Sequence, residues 1–176
     1  MLRTLLKHLS RGSLDPTFDW PAVTPPAAVI HLQARSIGGL RFGDPIDEAR
    51  RFGRADHFIP HEGKACSLVY AKPGLLLQFD EKRRLSYCSF PLAADPYFPK
   101  CPGLVYATPV FSDGLRLTSA TTEAEICALF GKPKSEDRDE EEIILNIERD
   151  GLTLEFELTP AGHLKMLNLF PTVEMK

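Results

Sequence analysis

The chain has 176 residues, of which 43% are hydrophobic and 26% are charged, and its formal net charge is −3. This composition is typical of a globular protein of one or two small domains and argues against a disordered chain. No apolar run approaches the ~20 residues needed to cross a bilayer, and the N-terminus lacks the apolar core and cleavage site of a secretory signal. We therefore expect a cytoplasmic protein without a membrane span.

Charge is distributed unevenly along the chain. Residues 1 to 112 carry 14 Lys/Arg against 10 Asp/Glu, whereas residues 113 to 176 carry 7 against 14.

The four cysteines have no C-x-x-C spacing, which argues against a zinc ribbon or a thioredoxin-like pair. We expect them to be free and mostly buried thiols.

The N-terminal region, residues 1 to 35, is predicted to contain an amphipathic helix and a proline-rich connector. Leu2, Leu5, Leu6 and Leu9 recur at helical spacing, and the basic residues lie largely elsewhere on the helical wheel. Because no acidic residue precedes Asp15, a presequence or a membrane-surface anchor is an alternative role. We favour docking of the leucine stripe on the body of the protein.

An internal repeat organises the rest of the chain. Gly-Leu-Arg occurs at 39–41 and 114–116, Phe-Gly at 52–53 and 130–131, and Gly-Leu at 74–75 and 151–152. Such self-similarity predicts a tandem duplication, in which Phe52 matches Phe130 and Phe79 matches Phe156. The predicted units are 36–91 and 113–176, joined by a proline-rich linker at 92–112, and we expect them to form one compact body.

Each unit is predicted to be a strand, a helix and a three-stranded meander. Asp44 and Pro45 are typical of a helix start, as are Thr122 and Glu125, which have the spacing of a capping box. Apolar and polar residues alternate in the strand-like runs, and Asp150-Gly151 is a strong hairpin signal. The predicted meander strands are 67–71, 75–79, 85–90, 142–149, 152–158 and 164–170. The sequence thus predicts the α+β class, with two tandem strand-helix-three-strand units that share or pack antiparallel sheets.

No motif points to catalysis, a cofactor or a metal. His57 and His61 stand four residues apart, but Pro60 between them argues against a shared helical turn, so a polar surface loop is favoured over a zinc site. Lys82-Arg83-Arg84 is a single basic cluster in an acidic chain and is too weak to indicate nucleic-acid binding. We predict no catalytic, cofactor-binding or metal-binding residue and no nucleic-acid partner.

The repeats resemble a known arrangement. Gly-Leu-Arg-Phe-Gly-Asp-Pro-Ile-Asp-Glu-Ala-Arg-Arg-Phe-Gly at 39–53 and Ala-Glu-Ile-Cys-Ala-Leu-Phe-Gly-Lys-Pro at 124–133 carry the likeness. The chain from about 36 to 171 resembles the tandem-repeat fold of beta-lactamase inhibitory protein and, more loosely, SmpA-type small outer-membrane-assembly lipoproteins. The resemblance implies that a concave sheet face clasps a protein partner.

These observations predict a non-catalytic, inhibitor-like or immunity-protein-like module that binds a protein through a solvent-facing sheet surface. Thr153, Glu155, Glu157 and Lys165 are the predicted contact residues, because the turn at 160–162 brings their strands together. Tyr97 and Phe98 in the linker form the second candidate surface. The acidic run at 135–142 is predicted to be a solvated loop, with a recognition patch for a basic protein partner as the alternative. A scaffolding subunit and a small-ligand binder or enzyme without a recognisable motif are the alternatives.

Overall fold

The computed structural model describes residues 15–94 and 101–172. The predicted N-terminal helix and the linker residues Tyr97 and Phe98 lie outside the described residues. In the described part, the chain forms twelve strands and two short helices. The strands are β1 (Val29–His31), β2 (Ser36–Ile37), β3 (Leu40–Arg41), β4 (His57–Pro60), β5 (Cys66–Tyr70), β6 (Leu75–Phe79), β7 (Leu85–Pro91), β8 (Val110–Phe111), β9 (Ser135–Arg138), β10 (Ile143–Arg149), β11 (Leu152–Leu158) and β12 (Leu164–Pro171).

Eight of these strands form one antiparallel sheet in the order β4-β5-β6-β7-β12-β11-β10-β9. Two meanders, each of four consecutive strands, are joined edge to edge where β7 pairs with β12. The helices are a seven-residue 3-10 helix (Ile46–Phe52) and an eight-residue α-helix, α1 (Glu123–Phe130). The structure is therefore mostly β, and the predicted α+β class with strand-helix-three-strand units is wrong.

The fourth strand of each meander was missed because it lacks the pattern that reveals a half-buried strand. β9 reads Ser-Glu-Asp-Arg with all four side chains exposed, and β4 ends in Pro60. Both lie at the edges of the sheet, where charged residues and proline discourage further pairing. The predicted surface loops at 57–61 and 135–142 are thus partly edge strands, held by backbone hydrogen bonds.

A second, smaller sheet has the order β3-β2-β1-β8. β1 pairs antiparallel with β2 but parallel with β8, so that Ile30 lies beside Phe111. β8 belongs to the segment predicted to be a linker without regular structure. The small sheet therefore joins the segments that precede the two helices.

The two helices begin differently. The 3-10 helix follows Pro45 without a side-chain cap, and the carboxylate of Asp44 instead accepts a hydrogen bond from the Arg41 backbone N at 2.9 Å, so the predicted Asp44 cap is wrong. The predicted capping box of α1 is confirmed, since Thr122 N donates to Glu125 Oε2 at 2.8 Å and Glu125 N donates to Thr122 Oγ1. Gly53 ends the 3-10 helix at φ 75° and ψ −169°, a conformation essentially restricted to glycine.

The pairing of β7 with β12 reveals an approximate two-fold relation between the meanders. Ser89 pairs with Asn168, which lies 79 positions later in the chain (168 minus 89). The pairs on either side are Cys88–Leu169 and Phe90–Leu167. With the same offset of 79, Cys88 corresponds to Leu167 and Phe90 to Leu169, so exchanging the two meanders converts one pair into the other. The bulges at Gln78/Phe79 and Glu157/Leu158 are also 79 positions apart.

This register corrects the predicted match between phenylalanines. With an offset of 79, the counterpart of Phe156 is Leu77, so the predicted match of Phe79 with Phe156 is wrong by two residues. The reason is the hairpin loop, which spans 71–74 in the first meander but only Asp150-Gly151 in the second. Aligned turn glycines therefore do not imply aligned strands.

The core lies between the inner face of the eight-stranded sheet and the layer made by the helices and the small sheet. Phe52, Phe79, Phe130 and Phe156 are all buried, as predicted. The Phe130 ring lies 5.2 Å from the Phe156 ring and 5.3 Å from that of Phe111, so α1, β11 and β8 meet at one aromatic cluster. Such ring pairs stabilise a core beyond the apolar area that they bury.

Replacing Phe156 by alanine should therefore lower the free energy of unfolding by about 3–5 kcal/mol, because it removes a fully buried ring and leaves a cavity. Phe18→Ala is the matched control: this ring is 48% exposed, and its removal should cost about 1 kcal/mol or less. Urea unfolding followed by circular dichroism measures both values. Equal losses for the two variants would contradict the assignment of the inner face.

Candidate functional site

The outer face of the eight-stranded sheet, opposite the core, has two halves of different character. Over the first meander it is apolar: Val69 and Leu76, with Met166 of β12, form a small cluster against which Ile59, Cys101 and Leu104 pack. The segment after the first meander crosses here, since Val105 N donates to Ala71 O and Ala107 N to Pro91 O. That half is therefore covered by the chain itself.

The other half is polar and centres on Asn168. In the strand register Glu155 lies beside Asn168 on one side and Ser89 lies beside it on the other. Glu157 precedes the bulge on the same strand as Glu155 and points to the same face. We call Glu155, Glu157, Asn168, Tyr87 and Phe170 the Asn168 cluster.

One amide holds both carboxylates. Asn168 Nδ2 donates hydrogen bonds to Glu155 Oε1 at 3.0 Å and to Glu157 Oε1 at 2.6 Å, and Asn168 is completely buried. Its other polar atom, Oδ1, has no hydrogen-bond partner among the residues that the structure describes. A buried unpaired acceptor costs about 1–3 kcal/mol, and such atoms are uncommon in folded proteins. The cluster thus retains an unused hydrogen-bonding capacity.

The Glu157 carboxylate is largely enclosed, with 19% of its side chain exposed. Burial raises the pKa of Glu157, and the hydrogen bond from Asn168 and the charge of Lys165 only partly offset this. Lys165 Nζ lies 3.7 Å from Glu157 Oε2 and also pairs with Glu142. The site therefore holds a carboxylate whose ionised form is poorly solvated.

Two aromatic rings border the carboxylates. Tyr87 of β7 and Phe170 of β12 are half-buried and stack with ring centroids 5.6 Å apart and planes inclined by only 12°. Burial raises the pKa of Tyr87, and the charge of Glu155 raises it further. Tyr87 is thus a neutral phenol beside an acidic pair.

The predicted contact residues lie as follows. Glu155, Glu157 and Lys165 come together on β11 and β12, whereas Thr153 is buried, with its hydroxyl 3.2 Å from that of Thr172. Sequence reasoning missed Asn168, Tyr87 and Phe170. The available signal was a single asparagine in the otherwise apolar run Met166–Leu169.

A second feature is a cleft of about 470 Å³ between the small sheet, the end of α1 and the β10–β11 hairpin. Phe111, Phe130 and Leu129 form part of its apolar lining, and Leu129 is 43% exposed. Arg149 lies at its rim and donates to Leu129 O at 3.3 Å. The cleft is formed by four segments that are far apart in the sequence.

The histidines and cysteines are weaker candidates for a functional site. In the described ranges, no three His, Cys, Asp or Glu side chains are placed to hold a metal ion, and His61 Nε2 instead lies 2.8 Å from Ser67 Oγ. All four cysteines are free; Cys66 and Cys88 are buried, and Cys101 and Cys127 are partly exposed. No helix in the described ranges is both long and apolar enough to cross a membrane.

Comparisons with known proteins give a likeness of fold. No family model matches the chain, and no curated protein matches it. The structure is similar to that of a DUF4309 family protein, YjgB, from Bacillus subtilis subsp. subtilis str. 168, with 12% identity, coverage of 76% of this chain and 83% of that chain, and a TM-score of 0.50. At this level of identity the likeness concerns the fold alone.

The environment of Glu157 predicts a pH-dependent effect of Glu157→Gln. The folded-state pKa of Glu157 lies above the ordinary value. At a pH where Glu157 is ionised in both the folded and the unfolded protein, the buried charge therefore destabilises the fold. This penalty disappears as the pH falls through the folded-state pKa. Glu157→Gln keeps an acceptor for Asn168 and should raise the melting temperature at pH 7.5, with a gain that shrinks on acidification towards pH ~4.

Thermal unfolding from pH 4 to 8 measures this difference, and Glu140→Gln, at an exposed turn residue, is the control. Other carboxylates titrate in both proteins and cancel in the comparison. A gain that grows as pH falls would contradict the assigned environment of Glu157.

Proposed function

We propose that this protein is a non-catalytic protein-binding module that engages a basic partner through the polar half of the outer sheet face. The observation that carries the proposal is the Asn168 cluster, in which one buried amide holds two carboxylates side by side next to a pair of stacked rings. Aromatic residues are enriched at protein interfaces, and charge that faces a partner of opposite sign increases specificity and association rate.

Long-range charge supports a basic partner. Residues 113 to 176 carry 14 acidic against 7 basic side chains, and the Asn168 cluster lies in this part of the chain except for Tyr87. An acidic surface of this kind steers a basic protein and raises its association rate, and salt weakens the effect.

The sheet edges are less suitable for binding than the face. A partner strand could in principle extend the sheet at β4 or β9, as in β-strand addition. β4 ends in Pro60, which lacks a backbone donor, and β9 carries Glu136, Asp137 and Arg138, of which Arg138 pairs with Glu123. Because charges and proline oppose strand addition, we favour docking on the face, in the manner of the inhibitor and immunity proteins.

The cleft favours a second candidate function, the binding of a small ligand. Its volume of about 470 Å³ is within the range of small-molecule sites, and its lining combines apolar rings with polar groups at the rim, including His31, Asp113 and Arg149. Saturable ligand binding that Arg149→Ala abolishes, with the Asn168 cluster unaffected, would favour this function over protein binding.

Retention of partners by immobilised protein tests the proposed function. Wild-type protein, the double variant Glu155→Gln/Glu157→Gln and the control Glu140→Gln/Glu141→Gln should be compared on extract from the native host. Both variants remove two negative charges, but only the first removes them from the face. We expect a basic protein to be retained by wild type and control and lost from the face variant by about tenfold or more, with retention falling as salt rises from about 50 to 300 mM.

Equal retention of every bound protein by the face variant and the control would contradict the proposal. Circular dichroism should show that both variants are folded, since the face variant keeps amide acceptors for Asn168 Nδ2 and the control changes only exposed side chains. A retained protein can then be purified for surface plasmon resonance, where the face variant should show a slower association rate.

A further inference from the structure

We propose that the Asn168 cluster is the binding site for one arginine side chain of the partner. This inference rests on the proposed function and narrows it from an acidic surface to a single recognised group. Three independent features of the cluster lead to it: the arrangement of the carboxylates, the unpaired amide oxygen and the stacked rings.

The carboxylates leave acceptor capacity for a cation. Asn168 occupies Glu155 Oε1 and Glu157 Oε1, which leaves the second oxygen of each carboxylate for other partners. Glu157 Oε2 lies 3.7 Å from Lys165 Nζ, whereas Glu155 has no ion-pair partner among the described residues. A guanidinium bound at Glu155 would add a charge-assisted hydrogen bond and would bring a positive charge close to the buried Glu157 carboxylate.

The unpaired oxygen of Asn168 requires a donor. Oδ1 sits on a fully buried side chain and can only accept a hydrogen bond. A guanidinium has five N–H donors in a planar fork, so one group can donate to a carboxylate and to a neighbouring acceptor at the same time. Oδ1 belongs to the same amide that holds Glu155 and Glu157, so we expect one guanidinium in the cluster to donate both to Oδ1 and to a carboxylate.

The rings select arginine over lysine. Tyr87 and Phe170 present nearly parallel planes, and Tyr87 is close enough to Glu155 for that charge to raise the pKa of the phenol. A guanidinium stacks on an aromatic face and is weakly hydrated, whereas an ammonium is compact and holds its water more strongly. A site that combines carboxylates with flat rings therefore favours the planar cation.

Titration with defined probes tests this inference on the full chain. The probes are N-acetyl-arginine amide, N-acetyl-lysine amide and the neutral isostere N-acetyl-citrulline amide, followed by the ¹H–¹⁵N spectra of backbone and asparagine side-chain amides. We expect the arginine probe to shift the Asn168 side-chain signals saturably, with the lysine probe about fivefold weaker or more and no saturation by citrulline. Equal responses to arginine and lysine, or to arginine and citrulline, would overturn the inference.

Variants locate the binding. Glu155→Gln/Glu157→Gln should weaken arginine binding by about tenfold or more, and Glu140→Gln/Glu141→Gln should leave it unchanged. Tyr87→Leu, which keeps an apolar side chain but removes the ring, should reduce the preference for arginine over lysine. Undiminished binding to the double glutamine variant would overturn the inference.

Failure of the arginine site can be distinguished from failure of the proposed protein-binding function. If the face variant loses a retained basic protein while no arginine probe binds wild type, the protein-binding function stands and the arginine site is wrong. If the probe binds as expected but no protein is lost from the face variant, the site is real and the proposed function is wrong.

Discussion

The antiparallel pairing of β7 with β12 is the interaction on which the rest of the structure depends. Each meander alone has one apolar face and buries so little surface that it would be only marginally stable. Joining them at Ser89 and Asn168 makes one eight-stranded sheet with a continuous core beneath it. The same junction creates the Asn168 cluster, because Tyr87 is contributed by the first meander and the other members by the second. The cluster is therefore complete only when the two meanders are joined.

Asn168 illustrates a conflict between stability and recognition. The fold places its side chain at zero exposure, in the middle of the sheet and next to the approximate two-fold axis, yet leaves Oδ1 without a partner in the described part of the chain. An apolar residue at this position would avoid that cost. It would also leave Glu155 and Glu157 without the donor that holds them together. Polar groups that are costly to bury and that organise neighbouring charges are typical of functional sites.

Local sequence patterns predicted those parts of the fold that depend on local chemistry. Alternation placed β6 and β11 with their correct ends, and the capping box located the start of α1. β4 and β9 were missed because edge strands are defined by backbone pairing rather than by side-chain pattern. In the site, alternation found Glu155 and Glu157. Tyr87 comes beside Asn168 and Phe170 only through the β7–β12 register, which no local pattern specifies.

The two meanders form one sheet, and their shared junction holds a preformed site. Native-state amide hydrogen exchange tests this arrangement most directly, since it measures the opening free energy of each strand. We expect amides in β7 and β12 to be among the slowest to exchange and to open with the same free energy as amides in the core of β6 and β11. Exchange of β7 and β12 through a separate opening of much lower free energy would contradict a single sheet in which the junction is a stable part.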